Sequence, residues 1–309
     1  MSTQKRNGML LLAALLLHTG LWAQTAHERI KKELEQKETM YGQQAKTIWN
    51  YAEVGYQEEK SSALLQDMLS KEGFKVQKGV AGIPTAFVAS YGEGQPVIGI
   101  LGEFDALPGL SQDSIPGRKV LREGAAGHAC GHHLFGVGSA AAAIAVKNWM
   151  VASKQKGTIR VYGTPAEEGG SGKVYMVRAG LFNDVDAVLH WHPADANSAS
   201  AGSSLANMSA KFRFKGVAAH AAAAPDRGRS ALDGVEAMNH MVNMMREHVP
   251  SDARIHYVIT QGGKAPNVVP DFAEVYYYVR HPRRDVVQDM WSRIVKASEG
   301  AAMGTGTTV

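Results

Sequence analysis

The chain has 309 residues, of which 45% are hydrophobic and 20% charged, with a formal net charge of +4. That composition is globular and the length admits two domains, which excludes a fibrous or disordered protein. The basic residues are dispersed, and the pairs Lys31-Lys32 and Arg283-Arg284 read as solvated faces, so nucleic acid is not an expected partner.

At the N-terminus, Lys5 and Arg6 precede a short apolar run from Met9 to Leu17, and the small residue Ala23 follows. This order is that of a secretory signal peptide, so residues 1–23 are expected to be a leader and the protein secreted or periplasmic. The mature chain would then begin near Gln24. The apolar run is too short for a spanning helix, and no other segment is read as a membrane span. Cys130 is the only cysteine, so an internal disulfide is excluded. An exported chain that keeps one thiol is expected to bury or ligate it, because a free exposed thiol oxidises.

Residues 26–71 look helical. Ile48, Tyr51 and Ala52, then Leu64, Leu65, Met68 and Leu69, recur at helical spacing, and Gly73 closes the second helix. Strands are expected over 85–90, 97–101, 158–162 and 187–191, with helices over 136–150 and 174–179. This alternation predicts an α/β domain with a mostly parallel sheet over 24–203. After Ser203 the texture changes. Strands over 205–214, 254–260 and 273–280 and helices over 231–245 and 286–301 predict an α+β sandwich over 204–309.

Metal-type side chains fall at the strand ends. Glu103 and Asp105 follow the second strand, Glu167 and Glu168 the third, and His190 and His192 end the fourth. Cys130 and His132 precede a helix. Open α/β sheets gather their ligands beyond the carboxyl ends of the strands.

Thiolate and imidazole hold zinc and similar ions, and a helix N-terminus favours the thiolate. The alternative is a buried cysteine with a core histidine, against which stand the further imidazoles of His128 and His133 and the flanking glycines. Of the adjacent carboxylates Glu167 and Glu168, one can bind metal while the other carries a proton. The alternative is an exposed acidic pair. His190 and His192 share one face if their segment is a strand, so either could be a ligand.

The order of the motifs Glu53-Val54-Gly55-Tyr56-Gln57-Glu58, Gly102-Glu103-Phe104-Asp105-Ala106-Leu107, Gly127-His128-Ala129-Cys130-Gly131-His132, Pro165-Ala166-Glu167-Glu168-Gly169-Gly170-Ser171-Gly172-Lys173 and Phe214-Lys215-Gly216-Val217-Ala218-Ala219-His220-Ala221 is specific. Over roughly 41–309 the chain resembles the zinc- or manganese-dependent amidohydrolases that include aminoacylase, carboxypeptidase G and the auxin-conjugate hydrolases.

That resemblance implies a metallopeptidase catalytic domain with an inserted α+β sandwich that serves as lid and dimerisation domain. It implies two divalent ions, Zn or Mn, with Cys130, His132, Glu168 and His192 as ligands and His190 as the fallback. Glu167 would be the general base. His220 would reach the active site of a second copy and steady the oxyanion, while Asn267 and Arg280 hold a substrate carboxylate.

The implied substrate is a small N-acyl amino acid or an aminobenzoyl-glutamate-like amide. The implied assembly is a homodimer through the lid, with room for a second kind of subunit. A dipeptidase or deacetylase of the same fold, or a non-catalytic dimerising or ligand-binding homologue, is the rival expectation. His133 stands where the family carries Asp or Asn. A further segment with another histidine ligand is expected beyond Val309, and 304–309 reads like the start of a strand.

Overall fold

The computed structural model describes residues 26–199 and 202–309, so the expected leader over 1–23 lies outside the described residues. The chain divides into two compact units, Met1–Asn197 and Ser198–Val309. The change of sequence texture puts that boundary a few residues later, at 203/204.

In the first unit three helices, α1 (26–36), α2 (Glu38–Tyr51) and α3 (Glu59–Lys71), precede the sheet. Tyr41, Ala45 and Ile48 of α2 and Leu65, Met68 and Leu69 of α3 are buried, the i, i+3, i+4 spacing of an inward face. The sheet contains β1 (Lys75–Lys78), β2 (Phe87–Glu93), β3 (Val97–Gly102), β4 (Gly157–Gly163) and β5 (Ala187–Leu189), in the order β1-β2-β4-β3-β5. The helix α4 (His132–Ser153) lies between β3 and β4 in sequence. A four-residue helical turn, α5 (Glu167–Gly170), and α6 (Gly172–Arg178) follow β4.

Side chains alternate across this sheet as period-two geometry demands. Phe87, Ala89, Ile159 and Val161 join the core formed with α2, α3 and α4, whereas Val88 and Tyr162 face a smaller core with Met176 of α6. Helix α4 is long and apolar enough to cross a bilayer by length and composition, but 61% of that window is buried inside the protein, as in a core helix.

The α/β class holds, and the sheet is mixed. β3 runs parallel to β4 and β5, while β2 runs antiparallel to β1 and β4. The expectation of a mostly parallel sheet is thus met only in the β4–β3–β5 half. β1 is not among the expected strands, because Lys-Val-Gln-Lys is short, polar and mostly exposed. β5 stops at Leu189, short of the expected 191, with all three of its residues exposed.

The second unit contains β6 (Ala206–Lys215), α7 (Ala231–Met245), β7 (Arg254–Gln261), β8 (Phe272–His281) and α8 (Arg284–Thr305). Its sheet, β6-β8-β7, is antiparallel throughout. β8 buries Ala273, Val275, Tyr277 and Val279, while Tyr276, Tyr278 and Arg280 are only partly buried. The buried set packs with Val235, Met238 and Val242 of α7 and Val287, Met290 and Ile294 of α8. Burying an Ile or Val side chain completely contributes about 1.5–3 kcal/mol, so this face supplies much of the unit's stability. Ser230 begins α7 by accepting a hydrogen bond from the Asp233 amide at 3.1 Å. Past α8, Thr308 makes a two-way backbone pairing with Lys215, at 2.8 and 2.9 Å.

Candidate metal centre

The ends of β3 and β4, the start of α4 and the loop after β5 deliver the candidate side chains. His132 is the first residue of α4 and is fully buried. Its Nδ1 lies 2.9 Å from Oδ1 of Asp105 and its Nε2 lies 3.0 Å from Oε2 of Glu103. Cys130 Sγ lies 3.4 Å from Nε2 of His192. The other nitrogen of His192, Nδ1, lies 2.9 Å from the carbonyl oxygen of Pro193, a contact that leaves Nε2 as the lone-pair nitrogen facing Cys130.

Two overlapping groups have donor atoms within 4.8 Å of one another: Cys130, His132 and His192, and Glu103, His132 and Glu167. Glu168 adjoins both, its amide donating to Oδ2 of Asp105 at 2.8 Å. Oε1 of Glu168 is buried without a hydrogen bond, and Nε2 of His132 and Oε2 of Glu103, both buried, have only each other, at 3.0 Å. Buried polar atoms without partners are costly. Sulfur, imidazole and carboxylate donors converging with unmet valences fit a divalent cation.

The electrostatics fit the same reading. Burial works against a charged His132, yet Asp105 and Glu103 outweigh it and raise its pKa to about 10. Burial likewise opposes ionisation of Glu103, but His132 and Lys173 hold its pKa at about 2. Cys130 is pushed up to about 12, first by burial and then by Glu168, Glu167 and Glu103. Glu167 is raised, first by burial and then by the charge of Glu103. The site without metal therefore carries an acidic excess that a cation would neutralise. His128 and His133, with rings 5.1 Å apart, are both lowered to about 4 by burial and by neighbouring imidazoles.

The structure thus brings together Cys130, His132, Glu167, Glu168 and His192. His190 takes a different place, with its Nε2 3.5 Å from Oε1 of Glu103 and its ring edge-on to Phe135. Both histidines sit in a loop rather than on a strand, since β5 ends at Leu189. Trp191 between them donates to Ser139 Oγ at 3.1 Å. The sequence counts Glu103 and Asp105 among the metal-type side chains at a strand end but assigns neither a specific part in the centre. Their contacts make Asp105 the group that orients His132 and Glu103 a third carboxylate of the centre. The Glu-x-Asp spacing directly after β3 is the available sign.

His220, Asn267 and Arg280 lie in the second unit. His220 pairs with Val268 in an isolated antiparallel bridge, and the Ala221 amide donates to the Asn267 carbonyl at 3.0 Å. His220 Nδ1 accepts from the amides of Ala222 and Ala223, each at 3.2 Å, so the proton sits on Nε2. The Arg280 guanidinium lies over the Tyr278 ring, 5.1 Å from its centroid.

Residues 205–304 match the family model described as peptidase dimerisation domain. The chain is 47% identical, over 93% of its own length, to one of the subunits of p-aminobenzoyl-glutamate hydrolase from Escherichia coli strain K12, and the match covers 60% of that protein. It is 31% identical to the Xaa-Arg dipeptidase of Mus musculus, over 92% of this chain and 64% of that one. The chain thus spans less than two thirds of the length of these relatives. Among solved structures, the YxeP protein of Bacillus subtilis, described as a dinuclear metal-binding peptidase of the M20 family, superposes with a TM-score of 0.58 at 23% identity. That match covers 89% of this chain and 72% of that one. Residues 205–304 thus carry the pattern of a peptidase dimerisation domain, and the chain as a whole is similar to named hydrolases and peptidases over part of their length.

Proposed function

We propose that this chain is the metal-dependent, amide-hydrolysing part of a small-molecule amidohydrolase. Its substrate would be an N-acyl amino acid or an aminobenzoyl-glutamate-like conjugate. The observation that carries the reading is the meeting of Cys130, His132 and His192 beside Glu167 and Glu168. The names of the relatives, a hydrolase of p-aminobenzoyl-glutamate and a dipeptidase, support amide cleavage next to a free carboxylate.

Cys130, His132, Glu168 and His192 would hold two divalent ions. The thiolate and imidazoles favour zinc, and the carboxylates accept manganese. When bound, such ions lower the pKa of water and polarise an amide carbonyl. The remaining chemistry falls to the chain itself. Glu167, not tied up by any described hydrogen bond and raised in pKa, takes the proton of the attacking water and returns it to the departing amine. Asp105 fixes the His132 ring through Nδ1 and so leaves Nε2 for ligation. His220, protonated at Nε2, donates to the developing oxyanion of a partner copy. Asn267 and Arg280 hold the substrate carboxylate, a task suited to a guanidinium fork.

We also infer export through residues 1–23 and assembly through the dimerisation domain, either with a second copy or with a different polypeptide. The decisive experiment measures metal per chain and turnover of a panel of N-acyl amino acids, aminobenzoyl-glutamate and dipeptides. Metal-dependent release of a free amine supports the reading. A metal-loaded, folded chain that cleaves none of them sinks it, and a preference for dipeptides moves the substrate class.

A further inference from the structure

The segment Glu53-Val54-Gly55-Tyr56-Gln57-Glu58 takes no part in the chemistry above, yet it lies directly against the loop that carries Glu167 and Glu168. That loop is held in an unusual backbone. Ala166 and Ser171 at its two ends have φ of 54° and 57°, and Glu168 and Gly169 between them are non-helical. Non-glycine residues in the left-handed region persist only where the surroundings impose them.

The surroundings are identifiable. Glu58, fully buried, accepts the Ala166 amide at 2.7 Å and the Thr85 hydroxyl at 3.0 Å. Asp105 accepts the Glu168 amide at 2.8 Å. The Tyr56 hydroxyl donates to the Gly170 carbonyl at 2.5 Å. Shape enforces the same docking. A Cβ on Gly55 would come within 3.0 Å of Ala166, and one on Gly170 would come within 2.6 Å of the Ala166 methyl and 2.8 Å of the Tyr56 ring. The segment is anchored in turn, since Ala106 donates its amide to the Glu53 carbonyl at 2.8 Å, next to Asp105.

We propose that Glu58 and Tyr56 are positioning residues that clamp the Ala166–Gly170 loop, and through it the carboxylate of Glu167, in its working geometry. Glu58 holds the amide of Ala166, the residue before Glu167, and Tyr56 the carbonyl of Gly170, three residues after it. Neither is among the candidate metal ligands. The role as proton-transfer support rests on the reading of Glu167 given above; the clamp itself does not.

The test compares wild type, Glu58→Gln and Tyr56→Phe as full-length chains. Tyr56 is 42% exposed, so deleting its hydroxyl leaves the core packing alone and keeps the test open even where Glu58→Gln fails to fold. Hydrogen–deuterium exchange on the metal-free protein should show amides of 164–171 exchanging about 10-fold faster in both variants, with β3 and α4 unchanged. In the metal-loaded enzyme, kcat should fall about 10-fold with KM within about twofold and metal content equal to wild type. Unchanged exchange in 164–171 for the folded variants overturns the clamp, as does a rise in KM alone. An inactive wild type would refute the hydrolase reading, while the exchange result would still decide the clamp.

Discussion

Sγ of Cys130 and Nε2 of His192 stand 3.4 Å apart although 62 residues separate them. One precedes the first turn of α4 and the other follows the edge strand β5, so the fold itself closes the distance. Replacing Cys130 by Ser keeps the size but removes the soft donor. Cys130→Ser should lower zinc affinity at least about 10-fold while the circular dichroism spectrum stays that of wild type. Equal zinc content after dialysis against a weak chelator would exclude the thiolate as a ligand.

Metal uptake should release protons. Without metal, His132 holds its proton up to about 10 and Cys130 holds its own up to about 12. Ligation needs neutral imidazole and thiolate, so near pH 7.5 about two protons should leave per chain. Titration calorimetry in buffers of different ionisation enthalpy reads that number directly, and a value near zero would contradict the ligand assignment.

The same shift sets the pH response of the metal-free protein. The folded pKa of His132 is raised above its unfolded value. The stability it contributes is therefore complete below pH about 6.5 and is lost as pH rises towards about 10. Denaturant midpoints of apo-protein should fall across that window, and Asp105→Asn should flatten the fall. In the holo-protein, Asp105→Asn should cost about 10–100-fold in metal affinity, because it loosens the ring it orients.

Glu167→Gln should lower kcat by about 10²–10⁴-fold with metal content unchanged, since it removes a proton carrier and no ligand. Wild-type activity should fall on the acid side at a pH above the ordinary carboxylate range, because burial and the Glu103 charge raise Glu167. Loss of bound metal in Glu167→Gln would recast this residue as a ligand.

In the second unit, His220→Ala should lower kcat while leaving metal content and the helical signal untouched, because the ring accepts only from its own loop. Met238→Ala, by contrast, empties a fully buried position on α7 and should destabilise that unit by about 2–5 kcal/mol. Thermal melts of the two variants separate chemistry from packing.

Most of the elements are legible in the sequence because their periodicities are clean. α3 shows the i, i+3, i+4 stripe of Leu65, Met68 and Leu69, and β8 alternates between the core and a partly exposed face. β1 is illegible because polar residues at a sheet margin carry no pattern. The choice between His190 and His192 is also hidden. It depends on where β5 stops, and that follows from how far its pairing with β3 extends, which ends at Ile100–Leu189. Glu58 is hidden for another reason. Its bond to Ala166 spans 108 residues, and nothing local in a buried glutamate names its acceptor role.

Each of the two units has its own oily interior. One gathers Ile48, Leu69, Phe87 and Ile144, the other Phe214, Met238, Tyr277 and Ile294. Each unit therefore has the buried apolar core that an independently folding domain needs. Scanning calorimetry of the intact polypeptide should resolve two endotherms, and 198–309 expressed by itself should give the sharp amide spectrum of an autonomous module.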